Sequence, residues 1–218
     1  MNPFSYLYRV GTLQHTNPEK PDPELIQRAA EVLKSGGLVI YPTDTIYGIG
    51  CDIESSKGLE SLSRVQGIDL AIAHFSVICP DLSHLAGLTR PIPNHLFRIL
   101  KKALPGPYTF ILEAGTQVPK TFRKSKKTIG IRIPDNPIPR MLAEALGRPV
   151  LNSSIKDMES EFLDYGTDPE QIFEQYREKV DLMISGGYGG LIPSTIIDAS
   201  GDEMIVVREG AGDVSGLL

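Results

Sequence analysis

The stretch Gly36-Gly37-Leu38-Val39-Ile40-Tyr41-Pro42-Thr43-Asp44-Thr45-Ile46-Tyr47-Gly48-Ile49-Gly50-Cys51 decides how the chain is read. A glycine pair ends the helical pattern before it. Leu38 to Tyr41 is apolar and β-branched enough for a buried strand, and Pro42 stops that strand. Two threonines, an aspartate and a tyrosine then fall within five residues, flanked by Gly48 and Gly50. Polar groups gathered at the end of a buried strand are where open α/β sheets bind ligands. The plainer reading is a turn whose hydroxyls satisfy local backbone groups.

Working outward, three helices are announced by one device. Asp22-Pro23-Glu24, Asn136-Pro137 and Asp168-Pro169-Glu170 each place an Asx side chain before a proline at the first helical position. The carboxylate or amide accepts from first-turn N–H groups, and the proline sacrifices no bond there. Apolar residues of helical period follow, ending at Gly36-Gly37, at Gly147 and near Lys179. Weaker helical patterns cover Lys57–Gln66 and Pro93–Ala103. Strands are expected at Leu38–Tyr41, Phe75–Cys79, Tyr108–Leu112, Thr128–Ile133, Val150–Asn152, Leu182–Ile184, Ser194–Asp198 and Met204–Arg208. Interleaved helices and apolar strands predict an α/β (mixed α+β) fold, a sheet with helices on both faces. Two strand pairs have no helix between them, so the sheet is expected to be mixed.

Composition bounds the function classes. A chain of 218 residues, 41% hydrophobic and 22% charged, suits one domain spanning 1–218. Its apolar runs fall far short of the roughly 20 residues of a membrane span. The first eleven residues lack the apolar core of a secretory signal, and two cysteines make no disulfide framework, so a cytoplasmic setting is expected. The net charge of −5 is unevenly spread: Arg90 to Arg140 carries eleven Lys and Arg against Glu113 and Asp135. Such a block is either an anion-binding surface or a solvated face.

Common catalytic signatures are missing: no P-loop, no G-x-S-x-G, no C-x-x-C. His74, Cys79 and His84 share no face of a helix or strand, and no metal site is expected there. Gly186-Gly187-Tyr188-Gly189-Gly190 reads as a turn between two strands, with close approach to a phosphate as the alternative. Arg132 projects from an apolar strand, and a buried arginine demands an anion, either a ligand or an internal acid.

The segment from Gly36 to Gly50, with its "YPTDTIYG" core, resembles the opening motif of the YrdC/YciO family, which includes the threonylcarbamoyl-AMP synthases of tRNA modification. The resemblance continues through Pro105-Gly106-Pro107-Tyr108-Thr109, Thr128-Ile-Gly-Ile-Arg132-Ile-Pro134, Pro193-Ser194-Thr195 and Arg208-Glu209-Gly210, closer to the YciO branch. It implies a twisted mixed sheet around a concave, basic cavity. In the synthases that cavity takes L-threonine, bicarbonate and ATP with magnesium, with no bound protein metal site. Carried over, Thr43, Thr45, Tyr47 and Arg132 line the threonine pocket, Arg132 meeting the carboxylate. Ser153, Ser154, Ser194 and Arg208 lie around the nucleotide.

Two departures bear on activity. Where the synthases carry a K-G-R-P-like segment, this chain has Gln66-Gly67-Ile68-Asp69, and where they carry S-A-N it has Ser154-Ile155-Lys156. Each lost charge-assisted hydrogen bond is worth about 1.5–3 kcal/mol. Lys156 is expected to return one cation to the phosphates. Two functions follow from the resemblance. One is an ATP-dependent threonine/bicarbonate carbamoyl-adenylate synthase. The other is a non-catalytic nucleotide- or double-stranded RNA-binding module, for which Lys120 to Lys127 would track the phosphate backbone.

Overall fold

The computed structural model describes residues 10–68, 75–119, 127–155 and 166–217. Their strands are β1 (Thr12–His15), β2 (Val39–Tyr41), β3 (Gly48–Asp52), β4 (Ser76–Ile78), β5 (Tyr108–Glu113), β6 (Thr128–Arg132), β7 (Val150–Ser154), β8 (Leu182–Ser185), β9 (Thr195–Asp198) and β10 (Ile205–Arg208). They form one mixed sheet in the order β1-β8-β2-β3-β7-β4-β6-β5-β9-β10. The helices are α1 (Pro23–Lys34), α2 (Ser56–Gln66), α3 (Asn94–Ala103), α4 (Pro137–Leu146) and α5 (Pro169–Tyr176).

The three Asx-Pro signals are helix starts. Asp22 accepts from Glu24 N–H, Asn136 from Ile138 N–H, and Asp168 from both Glu170 and Gln171 N–H. The α4 helix stops where Gly147 takes a left-handed φ of 77°, a conformation that costs glycine little. The last helix ends at Tyr176, three residues earlier than its sequence pattern suggests.

Alternation along the strands sorts side chains into two layers. Ile40, Ile49, Val77, Leu151, Ile131 and Phe110 face one core, shared with α2, α3 and α5. Val39, Tyr41, Val150, Ile78 and Ile184 face the other, where α1 and α4 pack. Helices therefore cover both faces, but α1 and α4 cover only part of theirs. Over the remainder the same alternation presents Ser76, Gly130, Arg132, Thr109, Asn152 and Ser154.

Two strands lie outside the set that the sequence pattern predicts. β3 reads as flanking glycines in the sequence, although it pairs with β7 over its full length and with β2 from Gly48 to Gly50. β1 is a polar edge strand, parallel to β8. The segment Gly186–Gly190 is also no simple turn. It leads from β8, second in the sheet, to β9, ninth. Seven interstrand spacings would span roughly 33 Å in a flat sheet. A ten-step connection reaches about that far only when fully extended. This one bends, with Gly187 at φ 97°, so the sheet must curl to bring its ends together.

Candidate ligand-binding basin

The loop between β2 and β3 and the end of β6 build one wall. Arg132 is 3% exposed, and its Nη2 donates to Asp44 Oδ1 at 2.9 Å and Thr45 Oγ1 at 2.9 Å, with Thr43 Oγ1 at 3.4 Å. Asp44 Oδ2 accepts from Asp135 N–H at 3.1 Å. Thr43 Oγ1 in turn donates to Ile46 O and accepts from Thr45 N–H. The plainer reading of the motif, a turn that satisfies local backbone, is realised. The hydroxyls do satisfy local backbone, and they also converge with Asp44 on the buried cation. The internal acid that the arginine demands is Asp44.

That pairing is incomplete. Arg132 Nε is buried and has no acceptor. Burial lowers the guanidinium's pKa, Asp44 and Tyr41 oppose this, and nearby Arg208 adds to the lowering. An arginine stays charged at any ordinary pH, so the cost of burial must be met by acceptors.

Arg208 lies close enough to Arg132 to act on it electrostatically. Its Nη2 donates to Ser194 O at 2.7 Å, and Ser194 Oγ lies 2.8 Å from Thr109 Oγ1. These partners are neutral, and among the described residues Arg208 makes no ion pair. Thr195 Oγ1 accepts from Gly210 and Gly212 N–H, tying the segment after β10 to the start of β9. All five sequence motifs thus meet around this face.

The glycine segment closes the Thr43–Tyr47 end. Tyr47 is buried and donates to Gly187 O at 2.6 Å, and Gly190 N–H donates to Thr45 O at 2.6 Å. A Cβ on Gly190 would collide with Thr45 O. Tyr47 therefore anchors the wall instead of lining the open space. Ser154 shares the basin face with Asn152, whereas Ser153, paired with Ile49, points to the opposite layer. Of the two serines carried over, alternation keeps only Ser154 in the basin.

The substituted phosphate positions behave differently from one another. Ile68 packs against the apolar core, and Gln66 Nε2 is buried without a partner. Lys156, His74 and the cations from Lys120 to Lys126 lie outside the described residues. The basic block is otherwise dispersed: Arg90 pairs with Glu113, Arg140 donates to Pro80 O, and Lys101 and Lys102 sit on α3, on the other side of the sheet. Of the described cations in that block, Arg132 is the one the strand alternation brings to the basin. Cys79 is buried and His84 pairs with Asp81. Among the described residues no group of three His, Cys, Asp or Glu could hold a metal ion, and no helix is long and apolar enough to cross a membrane.

Sequence reading misses Asp44's role, Ser76 and Asn152. The first could be found from the single acid inside the motif. The other two depend on a strand pairing that no local pattern reveals.

Comparison with known proteins agrees with this architecture. The chain is 42% identical over 206 residues to "Uncharacterized protein YciO" of Escherichia coli K12, covering 94% of this chain and 98% of that protein. It is 24% identical over 174 residues to the threonylcarbamoyl-AMP synthase of Halorhodospira halophila, covering 80% and 89%. The crystal structure of E. coli YciO superposes with a TM-score of 0.87 at 40% identity, covering 95% of this chain and 100% of that one. The structure of P. abyssi Sua5 complexed with L-threonine shares the fold, with a TM-score of 0.82 at 24% identity, covering 91% and 57%. Residues 31–210 match the family model Sua5_yciO_yrdC, described as telomere recombination, and the chain belongs to that family.

Proposed function

We propose that this chain binds a small amino acid such as L-threonine by its carboxylate, and an adenine nucleotide by its phosphate, in the basin between Arg132 and Arg208. The observation that carries this reading is Arg132, a buried cation with one carboxylate partner and an Nε that has no acceptor. Nη2 is already committed to Asp44 and Thr45, so Nε is the donor left for a ligand carboxylate, by one charge-assisted hydrogen bond. Among the described residues Arg208 has only neutral partners, so there the two arginines carry more positive charge than Asp44 balances. The hydroxyls of Thr43, Thr45, Thr109, Ser154 and Ser194 supply directional hydrogen bonds around them. Further support comes from the threonylcarbamoyl-AMP synthases among the relatives and from the L-threonine complex of a protein of the same fold.

The corresponding reaction joins L-threonine and bicarbonate as a carbamate with loss of water. The carbamate oxygen then attacks the α-phosphorus of ATP, supplied with magnesium as the substrate complex, and pyrophosphate leaves. The chain's part is positioning and electrostatic stabilisation: Arg132 holds the carboxylate, and Arg208 with Ser194 faces the phosphate. A second reading is favoured by the loss of cations at Gln66 and Ile68. In it the basin binds amino acid and nucleotide without forming the adenylate.

Pyrophosphate release that requires threonine, bicarbonate and ATP together would support synthesis. Calorimetric binding of threonine and AMP with no such release would support the second reading. Absence of threonine binding to the wild type, or its persistence in Arg132→Ala, would reject both.

A further inference from the structure

Ser76 is the polar residue of the three-residue strand β4, and it lies on the face where α1 and α4 leave the sheet open. It is directly opposite Asn152 of β7 and Gly130 of β6. Asn152 Nδ2 donates to Ser76 Oγ at 3.2 Å, and Asn152 Oδ1 accepts from the Tyr41 hydroxyl at 3.0 Å. Tyr41 and Asn152 are both buried. Two glycines of β3 make room for them: a Cβ on Gly48 would collide with Asn152 Oδ1, and one on Gly50 would lie 2.5 Å from the Tyr41 oxygen.

The order of donors in this chain is fixed by burial. A fully buried phenol keeps its proton, because desolvation raises its pKa well above the ordinary value. That proton must have an acceptor, and Asn152 Oδ1 is the one present. Reversing the amide would leave the phenol proton unpaired in an apolar layer. The amide nitrogen therefore faces Ser76 and occupies one lone pair of its oxygen, which turns the hydroxyl proton away from Asn152. Its own proton has no acceptor among the described residues. Gly130, next to it, carries no side chain and leaves the space between Ser76 and Thr109 open. Ser76 O–H and Arg132 Nε are thus two unspent donors on adjacent strands of one sheet face, among the described residues.

We propose that Ser76 is a ligand-binding residue that donates to an acceptor oxygen of the bound molecule, and that Tyr41 and Asn152 are positioning residues that hold it in the donor state. This rests on the ligand-binding reading above and adds a subsite to it. The subsite takes a carboxylate, carbamate or phosphoryl oxygen. Its logic is that of any buried polar relay: the innermost group, not the one that touches the ligand, sets the polarity.

The test is calorimetric titration of L-threonine and, separately, AMP into the full chain and five variants. Ser76→Ala should weaken one of the two by about tenfold, the loss expected for one hydrogen bond to a charged acceptor. Ser76→Thr keeps the hydroxyl and should bind within about twofold of wild type. Tyr41→Phe should weaken the same ligand several-fold although it never reaches the basin, and Ser76→Ala with Tyr41→Phe should be no worse than Ser76→Ala alone. Loss on threonine alone assigns the subsite to a carboxylate or carbamate oxygen, and loss on AMP alone assigns it to a phosphoryl oxygen. If Arg132→Ala abolishes threonine binding while Ser76→Ala leaves both ligands unchanged, the subsite is refuted and the ligand-binding reading stands. If wild type binds neither ligand, that reading fails and the subsite fails with it. Urea unfolding of each variant separates lost binding from lost fold. Should Tyr41→Phe not fold, Ser76→Ala and Ser76→Thr, at a half-buried position, decide the matter by themselves.

Discussion

Arg132 Nη2 lies 2.9 Å from Asp44 Oδ1, joining the end of a central strand to a loop 88 residues away in the sequence. Both side chains are more than nine-tenths buried. The pair therefore behaves as a buried ion pair, whose components depend on each other far more than the fold depends on the pair. Arg132→Met leaves Asp44 charged without its cation and should cost about 3–5 kcal/mol in urea unfolding. Adding Asp44→Asn to it should recover most of that loss, since the uncompensated charge is gone. A double variant as unstable as the single one would show that Arg132 holds the fold through packing alone.

Gly130 offers a separate handle on the basin. An added Cβ there would meet Ser76 Cβ at 3.4 Å and Thr109 Cγ2 at 3.5 Å, ordinary van der Waals contacts. Gly130→Ala should therefore fold with stability within about 0.5 kcal/mol of wild type or slightly above it, because strand glycines are entropically costly. The same methyl group narrows the floor between two hydroxyls. Threonine or AMP affinity should fall severalfold while the urea midpoint holds. Unchanged affinity for both would mean that no ligand reaches this part of the sheet.

How far the sequence can be read follows from the range of the forces involved. Helix starts are legible because an Asx cap and a proline act within four residues. The apolar strands are legible for the same reason. β3 is not, because its glycines look like turn residues until Asn152 and Tyr41 are seen to occupy the space their side chains would need. Arg132 stands out as a cation in an apolar strand. Its partner Asp44 and the Tyr41–Asn152–Ser76 chain do not, since each bond joins strands or loops at least 76 residues apart. The separation of Ser153 from Ser154 needs only alternation, once the strand is known to extend to Ser154.

Both cysteines make a direct probe of core integrity. Cys51 and Cys79 are fully buried, and burial pushes each thiol up to about 12. At pH 8 neither supplies an appreciable thiolate fraction, so disulfide-exchange reagents have neither access nor nucleophile. Native protein should react with less than one equivalent of an aromatic disulfide over an hour, and urea-unfolded protein with two at once. Rapid labelling of one thiol in native protein would mean that the layer beneath β3 or β4 opens on its own.

Asp81 should show its contribution only in acid. It precedes the short 3-10 turn Leu82–Leu85, where hydrogen bonds from Ser83 and His84 hold its carboxyl down at about 2, against an ordinary value of 3.8. A folded-state value below the unfolded one means that stability is fully present above about 3.8 and is lost as pH falls towards 2. The side chain is about half exposed, so solvent screening keeps the effect under about 1 kcal/mol. Asp81→Asn retains an acceptor for the Ser83 N–H and removes only the charge. Urea midpoints of the variant should therefore lie slightly below wild type at pH 6, with most of the gap closing as pH falls from about 3.8 towards 2. A gap that stays constant from pH 6 to 2.5 would assign the loss to cap geometry instead of charge.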